Sequence, residues 1–428
     1  MSTVVYQCPS CGAPLAYHAQ SGKLKCSACG NDYELDALEA LNESGEQGNI
    51  QFEMPSETFD GKEAAQMHAY VCQACGAELM TEETTTATEC PYCGSPTILP
   101  EKIDGGVKPE MVIPFTVTKE QAQKLFEDYF KGKKLLPNVF LNTRNRITEM
   151  RKLYVPYWLF GCTAGGSAVY DAQKRRTCRE GDWEVTYTDH YIVTRSGSMT
   201  FEHIPVDGSV KMDNQITESL EPYDLSAAVP FAPAVLAGAL ADHADVDSTD
   251  CVERARERVE NSMEQALRDT VNGYTSVTTR RKGFHTEEGK VTPVLMPVWL
   301  ITTEKEGKTY TFAINGQTGK LTCDVPADAK KSWLWFGGVF AGVFALACLA
   351  LLAMGMIDGF MMLLAAVVAA IAGMITVSMM TSALKQAVSV DSAGNYIVKN
   401  SFKLHARHDH YLHTTQTRRR IEQKPDKK

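Results

Sequence analysis

Eight cysteines in four Cys-x-x-Cys-Gly knuckles are the residues of this chain whose types and spacing could do chemistry. They are Cys8 and Cys11, Cys26 and Cys29, Cys72 and Cys75, and Cys90 and Cys93. Within each pair of knuckles 14 residues separate the inner cysteines, and the first pair recurs 64 residues later as the second. Two such units bring four thiolates to one tetrahedral ion, zinc above all. The two-residue gap lets both sulfurs of a knuckle reach the ion, and the glycine that follows permits the positive φ of a tight turn. All four ligand positions are then filled by protein, and none is left for water. The expected chemistry is therefore structural: two Zn2+ ions, each stapling a segment of ~25–30 residues that is too short to bury a useful core.

Disulfides are the competing use of such cysteines, and they need an oxidising compartment. Met1 to Gln7 has neither a basic n-region nor a long apolar stretch, so no secretory signal is expected. The other five of the 13 cysteines (Cys162, Cys178, Cys251, Cys323 and Cys348) are scattered singly, as suits a reducing cytosol.

Two apolar segments near the C-terminus must decide where the knuckles reside. Leu334 to Met356 and Phe360 to Met380 carry no charge, and Ile357-Asp358-Gly359 separates them. Each exceeds the ~20 residues that cross a bilayer core as a helix, so a transmembrane hairpin is expected. Gly338, Gly342, Ala345, Ala366, Ala370 and Gly373 offer small residues for its packing face. Lys330 and Lys331 precede the first span, Lys385 follows the second, and the turn lacks Lys and Arg. Both termini are thus expected on the cytoplasmic side of the cell membrane, with Trp333 and Trp335 as interfacial anchors.

The fold class expected is α+β. Two N-terminal zinc ribbons (1–40 and 66–100) flank a linker (41–65). A middle α+β domain (101–330) leads to the two-helix transmembrane hairpin (331–384) and a basic tail (385–428). The middle domain reads as a pseudo-duplication. Leu153-Tyr154-Val155-Pro156-Tyr157-Trp158-Leu159-Phe160 matches Val294-Leu295-Met296-Pro297-Val298-Trp299-Leu300-Ile301, and each follows a helical segment. Thr118 with Gln121 reads as a capping box opening the first helix. Trp183 to Thr194 alternates as a strand, with Gly197 to His203 as its expected hairpin partner. Lys308 to Ile314 and Lys320 to Cys323 flank Asn315-Gly316, a hairpin turn pair.

Catalytic signatures are missing. The chain has no GxxxxGK[ST], GxSxG or HExxH. Cys162 lies among glycines, but no His and Asn partners can be assigned to it. His405, His408, His410 and His413 share no helical face and read as part of a solvated tail. Residues 385–428 hold ten basic and four acidic residues, against −9 for the whole chain, and this basic segment suits contact with anionic lipid. Nucleic-acid binding by the ribbons has the wrong electrostatic sign. Residues 66–100 contain no Lys or Arg, and residues 1–40 set Lys23 and Lys25 against four carboxylates.

The paired ribbons, the VPYWLFGC segment and the MPVWLITTEKEGKTYTFAINGQTGKLTCDVP stretch resemble bacterial TFIIB-type zinc-ribbon membrane proteins. Such sequences are often labelled primosomal helicase-like, although no helicase motif is present here. Members often have one N-terminal ribbon, so the doubled ribbon is a departure. The resemblance implies a membrane protein that recruits SPFH-domain or phage-shock-type proteins in envelope stress. The expected function is accordingly a membrane-anchored zinc-ribbon scaffold that docks protein partners, and not an enzyme. The alternatives are a membrane-tethered nucleic-acid-binding regulator, and an enzyme whose site in the middle domain would draw on Tyr157, Trp158, His190 and Trp299.

Overall fold

Alternating segments of 25 to 30 residues fold as very long strands, and everything else is arranged along them. The computed structural model describes residues 6–8, 12–19, 21–33, 35, 38, 52–82, 89–96, 98–101, 107–141, 150–305, 308–323, 325–355, 358–384 and 387–421. Cys11 and residues 41–51 of the expected linker lie outside the described residues.

The chain begins with a three-stranded antiparallel sheet of β1 (Leu15–His18), β2 (Lys23–Cys26) and β3 (Asp32–Tyr33). After β4 (Phe52–Glu53) and helix α1 (Gly61–Ala65) comes the second cysteine unit, made of β5 (Met67–Cys72), β6 (Glu78–Glu82) and β7 (Ile98–Glu101). The middle region follows as β8 (Met111–Val112), α2 (Lys119–Phe130), α3 (Asn138–Leu141), β9 (Arg151–Glu180), β10 (Trp183–Asp207) and α4 (Asn214–Ser219). It continues through β11 (Val229–Pro230), β12 (Leu240–Asp242), α5 (Ser248–Asp269), β13 (Ser276–Lys305), β14 (Lys308–Asn315) and β15 (Leu321–Cys323). Two apolar helices, α6 (Ala329–Ala353) and α7 (Gly359–Ser382), precede the last strand, β16 (Lys403–Arg420). Among the described residues, β4 to β16 share one 13-stranded sheet.

The duplication is real and centres on one residue pair. Strands β9 and β13 run antiparallel with Val155 facing Met296, which are equivalent positions of the two repeats. Around that pair each half repeats the same bonds. The Pro156 carbonyl accepts from Gly208 N–H at 2.9 Å, and that of Pro297 from Gly316 N–H at 2.8 Å. The Gly208 carbonyl accepts from Asp245 and Val246, and the Gly316 carbonyl from Thr116 and Val117. The indole of Trp158 donates to the Val246 carbonyl, and that of Trp299 to the Val117 carbonyl, both at 2.9 Å. Val246 and Val117 each precede the N-cap of a long helix, Asp247 for α5 and Thr118 for α2. Each tryptophan therefore anchors the entry to the other half's helix. The two short strands also match, since β12 pairs in parallel at Leu153 and β8 in parallel at Val294. The glycines are required by close approach. A Cβ on Gly208 would lie 2.9 Å from the Trp158 nitrogen, and one on Gly316 would lie 2.5 Å from the Phe115 ring.

Several local expectations hold. Thr118 and Gln121 close a capping box, and β14 and β15 flank the Asn315-Gly316 turn. Others need correction. Trp183 to Thr194 and Gly197 to His203 are not hairpin partners but parts of one strand, β10, whose partner is β9. Gly197 does not end this strand because it serves a close approach: its missing Cβ would stand 2.7 Å from the Lys403 carbonyl. Nor is residues 385–428 simply a solvated tail. Lys403–Arg420 pairs antiparallel along β10 from Ser198 to Trp183, so β16, β10, β9 and β13 form a long arm. The polar residues of β16 concealed this because both its faces are largely wet and Leu412 alone of its residues is buried.

The apolar helices form a hairpin, each long and apolar enough to cross a membrane. Its packing row on α7 is Ala365, Ala369 and Gly373 rather than Ala366 and Ala370, which are half-buried. Gly338, Gly342 and Ala345 face outward, and Phe336 of α6 fills the notch at Gly373 instead. A phenylalanine of one helix thus seats against a row of small residues on the other. After the hairpin the chain returns to the body. Val388 and Val390 N–H donate to Ser219 and Glu218, and Tyr396 and Arg258 both donate to buried Glu221.

Among the buried polar equivalents of the two halves, Asp207 stands where the second half has Asn315. Asn315 accepts from Gln317 and Thr318 N–H and donates to the Leu220 carbonyl at 2.9 Å. Asp207 accepts from the Thr217 hydroxyl. Burial pushes its carboxyl up to about 6, against the pull of Thr217 and the Ser209 N–H and with help from Glu218 and Asp245. A carboxyl raised in the folded state adds stability below its unfolded value, about 3.9, and loses it as pH rises through about 6. Asp207→Asn, which copies the second half, removes that loss. Its stability gains on wild type as pH rises from about 3.9 to about 6, by on the order of 1.4 kcal/mol per pH unit, and the gain levels off above that, read as a diverging melting temperature. Parallel pH profiles for the two proteins would show that Asp207 ionises without penalty.

Candidate metal centres

All four knuckles close with the same backbone bonds, and their sequence imposes them. The glycine N–H donates back to the carbonyl of the first cysteine at 2.8 Å (Gly12, Gly76) or 3.0 Å (Gly30, Gly94). The N–H of that first cysteine donates to Ala13, Asn31, Ala77 or Ser95, one residue past the glycine. The turn closes only with a positive φ, and the four glycines take +75°, +77°, +68° and +72°. In the second unit the N–H groups of Ala74 and Cys75 bond the Cys72 sulfur, and those of Tyr92 and Cys93 the Cys90 sulfur.

In the second unit Cys72, Cys75, Cys90 and Cys93 place their sulfurs within 4.8 Å of one another. Cys72 and Cys93 are 3.6 Å apart, as are Cys75 and Cys90. A tetrahedral ion with bonds of about 2.3 Å spaces sulfurs roughly 3.8 Å apart, so the set fits a metal ion. In the first unit Cys8, Cys26 and Cys29 gather likewise, with Cys8 and Cys29 at 3.5 Å. Cys11, the expected fourth ligand, lies outside the described residues. The charge state calls for a cation. Burial pushes the thiols of Cys90 and Cys75 up. Burial also opposes ionisation of Cys72, but N–H groups of Cys75 and Ala74 overcome it and bring it down to about 7. A coordinated divalent ion would hold all four as thiolates.

The two units are seated differently. Cys8, Cys26, Leu24 and Tyr33 of the first form a small core with Val169, Ile192 and Leu412 on one face of the arm, and the Tyr33 hydroxyl lies 3.2 Å from the Cys8 sulfur. The second is built into the main body. Its strand β6 pairs with β12, and Cys72, Cys90 and Tyr92 share a core with Leu153, Tyr157 and Val298. Tyr92 donates to buried Asp242 at 2.5 Å. Lys211 donates to the Cys75 carbonyl at 3.0 Å and Arg151 to the Cys90 carbonyl at 2.5 Å. Two cations thus border a cluster that would carry a formal −2 with a divalent ion bound. Sequence reading missed Arg151 and Lys211 because nothing local marks a residue 61 or 136 positions from its partner. Tyr92 stood inside its own knuckle and was the one discoverable contact.

The other candidate residues do not converge. Tyr157, Trp158 and Trp299 are buried, and both indoles are used by backbone. His190 lies on the arm, stacked on His413 with ring centres 4.6 Å apart, while His203 sits at positive φ in the β10 bulge. Burial pushes the Cys162 thiol up to about 12, which keeps it protonated at neutral pH.

Metal analysis of the purified chain is expected to return two ions per chain. Cys72→Ser should leave one ion and lower the melting temperature steeply, because its cluster shares the main core. Cys8→Ser should also leave one ion while the body melts almost as before. Metal-free protein with a wild-type melting temperature would contradict both. No family model matches the chain, and no solved structure matches it. Over 352 residues it is 33% identical to "Uncharacterized protein YdjG" of Bacillus subtilis (strain 168), spanning 82% of this chain and 98% of that protein. By that likeness the chain belongs to the family of Bacillus subtilis YdjG.

Proposed function

We propose that this chain is a membrane-anchored scaffold of the TFIIB-type zinc-ribbon kind, with zinc in both cysteine clusters and both termini in the cytoplasm. One observation carries the reading. The first cysteine unit stands on the side of an arm, attached through a core of few residues, whereas the second is sunk in the body. The second serves as a rivet, and the first is the docking module. The hairpin confines it near the bilayer and so raises its effective concentration for partners already there. Those partners are SPFH-domain or phage-shock-type proteins of an envelope-stress response, as the sequence resemblance implies. Intact chain extracted from membranes is expected to co-purify such a partner, and Cys8→Ser to lose it while remaining folded and membrane-bound. Equal recovery with both would remove the first ribbon as the docking surface.

A second reading, a membrane-tethered nucleic-acid-binding regulator, is favoured by one feature of the arm. Arg175, Arg176, Arg179, Arg418, Arg419 and Arg420 are exposed around its tip with Trp183, and the Arg176 guanidinium lies 4.9 Å above the Tyr187 ring. Arginine alternating with aromatic faces suits phosphate and base stacking. Salt titration against random DNA separates the readings. The scaffold predicts no micromolar binding at physiological salt; micromolar binding that is lost on replacing Arg418, Arg419 and Arg420 with Gln would reassign the function.

A further inference from the structure

The membrane-proximal end of the body carries a ring of cations drawn from two distant stretches of chain. Lys330 and Lys331 open α6. Lys131, Lys133 and Lys134 belong to the loop between α2 and α3, roughly 200 residues earlier, and fold against the same helix ends. The Lys133 ammonium donates to the Ala383 carbonyl at the end of α7 and lies 4.5 Å from the Tyr129 ring centre. Lys331 donates to the Leu136 carbonyl at 2.6 Å and to Asn138 at 2.7 Å. Lys134 rests 4.5 Å above the ring of Trp335. None of these partners is negatively charged. Lys131 does pair with Asp128. Lys134 and Lys330 are exposed, beside Trp333 at 70% exposure and Leu334 at 77%.

We propose that this collar binds the phosphate headgroups of anionic phospholipid in the leaflet nearest the body. The occupant follows from position. The lysines stand at both helix ends, Lys133 at the close of α7 and Lys134, Lys330 and Lys331 at the start of α6, so the first polar layer outside the hydrocarbon lies against them. Tryptophan and lysine together are the side chains that such a layer favours. Ammonium groups in that layer attract anionic lipid, by about fivefold per lysine. The site differs from the tail that the sequence suggested for lipid contact, since Lys403 to Arg420 is engaged along the arm. The proposal rests on the hairpin spanning a bilayer.

Lys134→Gln with Lys330→Gln is the variant of choice, because neither ammonium holds a described helix-end carbonyl. Full-length chain in neutral detergent is titrated with phosphatidylglycerol and with phosphatidylcholine, and bound lipid is counted by native mass spectrometry. Wild type should prefer phosphatidylglycerol, and the variant should lose about twentyfold of that affinity with phosphatidylcholine unchanged. Arg175→Gln with Arg176→Gln at the arm tip should behave as wild type, and inorganic phosphate should not displace the lipid. No preference in wild type, an unaltered preference in the collar variant, or an equal loss in the arm variant would overturn the site. Flotation with membranes after alkaline wash tests the hairpin separately. Chain that floats but shows no preference retires the collar alone, and chain that fails to float retires both.

Discussion

The antiparallel seam between β9 and β13 is the constraint on which the other contacts rest. At Val155 and Met296 the two halves of the middle domain meet at equivalent residues. The seam then fixes, on each side, a proline carbonyl, a glycine with no room for a Cβ, and an indole N–H aimed at the far half's helix entry. Because each tryptophan serves the opposite half, neither half has a complete core alone. A buried indole that lost its carbonyl would carry the desolvation cost of an unmade bond, about 1–3 kcal/mol, in addition to the packing it disturbs. The exchange is thus a cooperative lock rather than two independent domains placed side by side.

From this seam the functional parts extend in three directions. Strands β9 and β10 run outward as the arm, where β16 and the first cysteine unit join them. Strand β12 carries the second cysteine unit through β6, so that a metal there would stiffen the edge of the main sheet. Strands β14 and β15 make the floor on which α2 packs and from which α6 departs, through Phe126, Phe130, Phe312 and Trp335. Position along two long strands therefore decides which part the apolar helices leave from, which carries the first cysteine unit and which is sealed inside.

What the sequence discloses depends on whether a signal is local. The four knuckles, the two apolar spans, the capping box at Thr118 and the Asn315-Gly316 turn are each written in a few neighbouring residues, and the fold honours them. The repeated Pro-x-Trp strands revealed the duplication, because a close approach and an indole bond demand particular residues. The partners were not legible. That Trp158 reaches Val246, or Arg151 reaches a knuckle carbonyl, depends on pairings across long separations, and those leave no mark in composition. Strand β16 was read as a tail for a related reason. A strand wet on both faces lacks the apolar alternation that betrays half-buried ones. The packing face of the hairpin was missed through Phe336, since a large residue filling a glycine notch inverts the small-residue rule.

The return of the chain after α7 to complete the arm has a consequence for how the molecule is made. Strand β10 is synthesised well before the apolar hairpin, and its neighbour β16 well after it. During translation the outer rim of β10 therefore stays open until both apolar helices have left the ribosome. Biogenesis acquires an order in which the apolar helices emerge first and closure of the arm comes last. A nascent chain that stalls or is clipped between these events would expose a bare strand edge, the kind of surface that chaperones and quality-control proteases recognise.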